Sequence, residues 1–214
     1  MPGHLTITGV CGWAIPPAWF EEQIALHFPG ARIRAIYPES PADAQEAAFL
    51  IRENPARLWI GFSLGSLWLM KHLDALPEGS TPAFLCPISG FTEEMGRGGK
   101  TRRVQLHYLI KQLNSQPESL ATVSRFFQDM DLPLKALDHF PIKTAALIRG
   151  LEFLKTTEVE PDLNKNPCHL LIGERDPLMN ARMLSDIFEN LILIPQAGHH
   201  PGPLLARLSQ VFVP

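Results

Sequence analysis

Apolar positions along the chain alternate between two kinds of run. Leu5–Val10 (LTITGV), Arg32–Tyr37 (RIRAIY), Arg57–Phe62 (RLWIGF) and Pro82–Ser89 (PAFLCPIS) are short, rich in β-branched and aromatic residues, and bounded by turn formers, so they predict strands. Between them lie stretches with helical spacing. Ala18–Leu26 follows Pro16-Pro17, and proline is tolerated in a first helical turn. Asp43–Asn54 carries Phe49, Leu50 and Ile51, and Leu64–Leu76 carries Leu64, Leu67, Trp68 and Leu73. The alternation returns near the end, with strands predicted at Cys168–Ile172 and Leu191–Pro195 and helices at Ala181–Asn190 and Gly202–Phe212.

Strand and helix in strict alternation predict right-handed βαβ units around a mostly parallel sheet, an α/β fold. The interval 91–166 breaks the rhythm. It has helical patterns at Leu106–Leu113, Ser119–Met130 and Thr144–Lys155 but no convincing strand. The chain therefore divides into one core, 1–90 with 167–214, and a helical insertion, 91–166, expected to lie over one end of the sheet.

Composition narrows the class. The 214 residues suit one domain, and a chain of this size buries a core without staples. A net charge of only −3 gives no global field pointing to nucleic acid or anionic lipid. Cys11, Cys86 and Cys168 are odd in number and far apart, which fits neither a disulfide framework nor a zinc site. No apolar run approaches the length of a membrane span, and the first residues lack a basic segment followed by a cleavable apolar one. A soluble cytoplasmic protein without metal or cofactor is the expectation.

The strongest chemical signal is Gly61-Phe62-Ser63-Leu64-Gly65, a G-x-S-x-G pattern between a predicted strand and a predicted helix. A chain that reverses sharply at a serine brings the residues two positions to either side close together, where only small ones fit. The helix that follows turns free N–H groups and the positive end of its dipole toward Ser63. Ser63 is thus the candidate nucleophile, with Leu64 N–H as one oxyanion donor. The second donor is expected from the loop after the first strand, Cys11-Gly12-Trp13-Ala14, as Trp13 N–H.

A serine hydroxyl needs a base, and the base needs an orienting acid. Gly173-Glu174-Arg175-Asp176-Pro177 follows one C-terminal strand, and Ala197-Gly198-His199-His200-Pro201 follows the next. Catalytic groups gather beyond the carboxyl ends of parallel strands, so all three candidates fall on one edge of the sheet. Asp176 is preferred over Glu174 as the acid. His199 is preferred over His200, which precedes Pro201 and is expected to face away.

With these residues in hand, the sequence resembles the α/β-hydrolase superfamily over nearly its whole length. Within it the chain looks most like the pimeloyl-ACP methyl ester esterases of biotin synthesis. Cys-Gly-Trp-Ala at 11–14 stands where that family has His-Gly-Trp-Gly, and Gly-Phe-Ser-Leu-Gly at 61–65 parallels Gly-Trp-Ser-Leu-Gly. Arg125-Phe126-Phe127 and the stretch Arg149–Thr156 (RGLEFLKT) are similar to parts of the family's lid. The resemblance implies hydrolysis of a pimeloyl methyl ester carried on acyl carrier protein. Arg125 and Arg149 would then help receive the carrier, with Arg102, Arg103 and Lys111 adding to a basic face. Phe62, Phe126, Phe127 and Phe153 are candidates for an apolar acyl channel. The chain departs from the family at Cys11, at Ala121 where a second lid arginine is expected, and in lacking the usual first hairpin. Two other readings stand beside this one: a general carboxylesterase or thioesterase for small acyl esters, and a binding scaffold without turnover.

Overall fold

The computed structural model describes residues 4–115, 119–134, 140–160 and 168–212. Six strands, β1 (Thr6–Val10), β2 (Arg32–Ile36), β3 (Leu58–Phe62), β4 (Thr81–Leu85), β5 (His169–Gly173) and β6 (Leu191–Ile194), form one sheet in the order β2-β1-β3-β4-β5-β6. Every pairing in it is parallel. Parallel strands are covered on both faces and so read as near-continuous apolar runs. In β3, LWIGF, all five residues are buried.

The helices that cover the sheet are α1 (Pro17–His27), α2 (Ala44–Glu53), α3 (Leu64–Lys71) and α7 (Ala181–Ile187), each between two strands, and α8 (Pro201–Val211), which follows β6. The starts of three of them are set locally. Pro17 opens α1, the Asp43 carboxylate accepts from the Gln45 and Glu46 N–H groups to cap α2, and Asn180 caps α7. The chain leaves β1 toward β2 and returns to the other side of β1 with β3. Right-handed crossovers in opposite directions put α1 and α3 on opposite faces and open a crevice between the carboxyl ends of β1 and β3. Helix α1 packs on α8, with Phe28 against Phe212 at 6.5 Å between ring centroids. Helix α3 is buried from Leu64 to Met70, as expected of a helix apolar on all sides.

Between β4 and β5 run α4 (Arg103–Asn114), α5 (Ser119–Asp129) and α6 (Thr144–Thr156). Among the described residues of that interval no strand forms; Gly90–Glu158, Thr92–Thr101 and Gly99–Met179 are isolated bridges. Residues 116–118, 135–139 and 161–166 of the expected insertion lie outside the described ones, as do 1–3, 167, 213 and 214 of the core. Three predicted elements stop at least three residues early, among them α7, which ends at Ile187 and not at Asn190. The fourth strand ends at Leu85, because Cys86 takes a left-handed conformation (φ 51°). The helix after Ser63 ends at Lys71 and gives way to a 3-10 turn at Leu73–Ala75.

Candidate active site

Ser63 sits between β3 and α3 with φ 55° and ψ −115°, a region of backbone space that side chains other than glycine's rarely occupy. The turn is held open by absent side chains. A Cβ on Gly65 would lie 2.1 Å from the Val10 carbonyl oxygen, and one on Gly61 would lie 2.6 Å from the Gly65 oxygen. It is also held by hydrogen bonds: Ser63 N–H donates to the Leu85 carbonyl (2.9 Å), and the Ser66 hydroxyl donates to the Ser63 carbonyl (2.8 Å).

The loops after β5 and β6 bring the other two candidates to this turn. His199 Nε2 lies 2.9 Å from Ser63 Oγ, and His199 Nδ1 lies 2.7 Å from Asp176 Oδ2. An ionised carboxylate only accepts, so the proton sits on Nδ1, and the Nε2 lone pair faces the serine hydroxyl. Asp176 Oδ1 accepts the N–H groups of Leu178 (2.8 Å) and Met179 (2.9 Å). Burial pushes the Asp176 carboxyl upward, but the facing His199 and these hydrogen bonds outweigh it, and the group is held below the ordinary carboxylate range. Serine, histidine and aspartate are all buried.

That depression sets the sign of a pH effect. A carboxyl whose folded pKa is lowered gives stability that is complete above its unfolded value, about 4, and is lost as pH falls through the lower folded value. Asp176→Asn should therefore flatten the fall of Tm in acid below about pH 4, against the wild type in matched thermal melts. An equal slope in both proteins would show that the carboxylate gains nothing from its setting.

The rival residues have other work. His200 Nδ1 accepts the Gly202 N–H at 3.0 Å and caps α8, and its ring meets Trp19 edge-on. Glu174 is exposed, one turn before the carboxylate that reaches His199. Around the site the backbone is repeatedly strained: Ala14, Ser63, Cys86 and Gln196 all have positive φ, each in a loop leaving a strand's carboxyl end. Such strain persists only where surrounding structure enforces it, and it clusters at functional sites.

Trp13, in the loop after β1, and Leu64, at the start of α3, flank the serine. Among the described residues no acceptor is bonded to either backbone N–H. The Trp13 indole donates to the Leu147 carbonyl (2.8 Å), and Gly150 of α6 lies directly over both residues, so the insertion roofs the turn. Under that roof is a cavity of about 560 Å³, with Ser63 in its wall. Trp13, Phe91, Leu109, Phe126, Leu151 and Leu178 supply much of its apolar lining, and Arg125, Asp129, Gln105 and Gln112 bring polar groups from α4 and α5.

Of the four phenylalanines expected along an acyl channel, Phe126 lines this cavity and stacks edge-to-face on Trp13 at 4.8 Å. The other three do not. Phe62 is packed beneath His199, with ring centroids 5.2 Å apart, because its strand position points away from the cavity. Phe127 is fully buried between Phe126 and Phe140, and Phe153 lies on the core side of α6, under the Lys71 ammonium. Arg125 is exposed at the cavity wall. Arg149, exposed on α6, directs its Nε to the Glu39 carbonyl at 2.6 Å.

The sequence did not disclose what braces the acid loop. Lys100 Nζ donates to the Asp176 carbonyl (2.6 Å), Lys100 N–H donates to the Leu178 carbonyl (2.9 Å), and Asn180 N–H donates to the Gly98 carbonyl (2.7 Å). The basic run beginning at Lys100 thus ties the start of the insertion to the acid loop. One group of side chains among the described residues has metal-ligand spacing, Cys86, Asp176 and His199. Two of its members are already hydrogen-bonded to each other. No helix among the described residues is long and apolar enough to cross a membrane.

No family model matches the sequence, and no curated protein matches it. Solved structures do. An N-acyl homoserine lactonase, AidH, complexed with N-butanoyl homoserine, aligns at TM-score 0.64 and 16% identity, over 93% of this chain and 83% of its own. The esterase RhEst1 from Rhodococcus sp. ECU1013 aligns at TM-score 0.65 and 15% identity, over 97% and 90%. A thermophilic esterase from Thermogutta terrifontis aligns at TM-score 0.64 and 13% identity, over 96% and 87%. At such identities the likeness is one of architecture: this chain has the α/β-hydrolase fold.

Proposed function

We propose that this protein is a serine carboxylesterase that cleaves an acyl ester through Ser63, His199 and Asp176. The observation that carries the reading is the hydrogen-bonded line from Asp176 to His199 to Ser63, opening on a largely apolar cavity. Ser63 Oγ attacks the ester carbonyl while His199 Nε2 takes its proton, and Asp176 stabilises the imidazolium that forms. The oxygen of the tetrahedral intermediate turns toward Trp13 N–H and Leu64 N–H. His199 returns the proton to the departing alkoxide, which leaves as the alcohol. Water then repeats the attack and releases the acid.

Within that class the reading extends to the methyl ester of a pimeloyl chain on acyl carrier protein. Its support is the match at 11–14, 61–65 and the two insertion stretches, together with Arg125 at the cavity wall. A general esterase for small acyl esters is favoured by Ala121 in place of an arginine and by the bond from Arg149 to Glu39.

Chain-length dependence tests the coarser claim. Across p-nitrophenyl esters, kcat/KM should rise roughly fourfold per added methylene, the worth of one buried CH2, until the cavity is full. A flat series would remove the apolar cavity from the account. Rescue of a biotin-requiring strain that lacks its own esterase tests the finer claim. Failure of rescue beside good cleavage of free esters would assign the general esterase.

A further inference from the structure

We propose that Cys86 is a positioning residue that holds the Asp176 carboxylate in line with His199. This rests on the reading of Ser63, His199 and Asp176 as a catalytic set. The Cys86 thiol, a carboxylate oxygen of Asp176 and a ring nitrogen of His199 all lie within 4.8 Å of one another. All three residues are buried, and Cys86 is wholly inaccessible.

The backbone places that thiol with care. Cys86 N–H donates to the Leu171 carbonyl of β5 at 2.8 Å, and its own carbonyl accepts the Ser66 hydroxyl at 3.1 Å. The same Ser66 hydroxyl bonds the carbonyl of Ser63, so one side chain ties the nucleophile's turn to the cysteine's. Between those ties Cys86 is held at φ 51°, a conformation that costs energy for a residue with a side chain. Continuing the strand would have turned its side chain elsewhere.

A buried thiol beside a carboxylate remains protonated. Burial first, and then the neighbouring charge of Asp176, push the Cys86 thiol well above its ordinary range. The protonated thiol, within 4.8 Å of a carboxylate oxygen, is placed to offer its S–H toward Asp176 and is no rival nucleophile to Ser63. Leu178 and Met179 N–H groups fix Oδ1, His199 takes Oδ2, and the thiol comes from just past the end of β4. Removing it takes away the contact on the β4 side and loosens the angle at which Oδ2 meets His199, without touching the cavity.

The test uses Cys86→Ala and Cys86→Ser in the full chain, reading Tm, kcat and KM on one p-nitrophenyl ester, and the rate of inactivation by a fluorophosphonate. Cys86→Ala should lower kcat and the inactivation rate about fivefold, the worth of a weak hydrogen bond to a charged group, with KM unchanged. Cys86→Ser keeps a donor and should recover most of that loss, even if both variants melt lower than wild type. Wild-type rates in Cys86→Ala would overturn the assignment. So would equal losses in Ala and Ser variants, since packing alone would then explain them. If the wild type itself neither cleaves ester nor reacts with the probe, the hydrolase reading fails first and this assignment with it.

Discussion

Ser63→Ala should leave a folded protein whose kcat on a p-nitrophenyl ester is down by on the order of 10⁵-fold. The reason is chemical: without Oγ, His199 has no hydroxyl to deprotonate and no acyl-enzyme can form. The cavity is lined mainly by other residues, so binding of a non-hydrolysable ester analogue should stay within about threefold of wild type. Ser63→Gly separates function from stability. Ser63 is held at φ 55°, and glycine relieves that strain while adding unfolded-state entropy, for a net gain of about 1 kcal/mol. Activity should vanish while Tm rises. A Ser63→Ala variant that keeps wild-type kcat would place the chemistry on another group.

The second large effect is expected at Gly65. Its Cβ would meet the Val10 carbonyl at 2.1 Å and the Cys11 carbonyl at 2.8 Å, both backbone atoms of the first strand and its loop. Neither can swing aside as a side chain could. Gly65→Ala must separate α3 from β1, and overpacking of this kind costs about 3 kcal/mol, or a Tm lower by roughly 6–12 °C. The same displacement moves Leu64 N–H away from Trp13 N–H and widens the proposed oxyanion site. A shift of about 1 Å there is worth about 100-fold in kcat. Tm and kcat measured together decide it: a variant with both unchanged would mean that the strand and helix are not in the close contact described.

The three residues of the proposed catalytic line were legible in the sequence for a physical reason. Gly61 and Gly65 are there because of local crowding, and Asp176 and His199 each follow a recognisable strand in a fold that collects its loops on one edge. The choice between His199 and His200 also had a local basis, because Pro201 starts a helix and the residue before it becomes the cap.

What failed to read out was non-local. Phe126, Phe127 and Phe153 look alike in a helical pattern, and which of them faces the cavity depends on how α5 and α6 settle over Trp13 and Leu64. Phe62 was misplaced because alternation along a buried parallel strand does not distinguish its two faces. The run PAFLCPIS gives no sign that the strand stops before Cys86, since that stop depends on Leu171 and Ser66, which bond its backbone from far along the chain. Lys100, which no motif in the sequence singles out, reaches Asp176 only through the fold of the insertion back on the core.

The central claim is that Ser63 is a nucleophile activated by His199. Its most direct test is treatment of the folded wild-type chain with a fluorophosphonate, followed by peptide mass analysis. The account predicts one adduct, on Ser63, that is abolished in Ser63→Ala and strongly slowed in His199→Gln. A folded wild-type protein that takes up no probe, or takes it up on a residue other than Ser63, would contradict it.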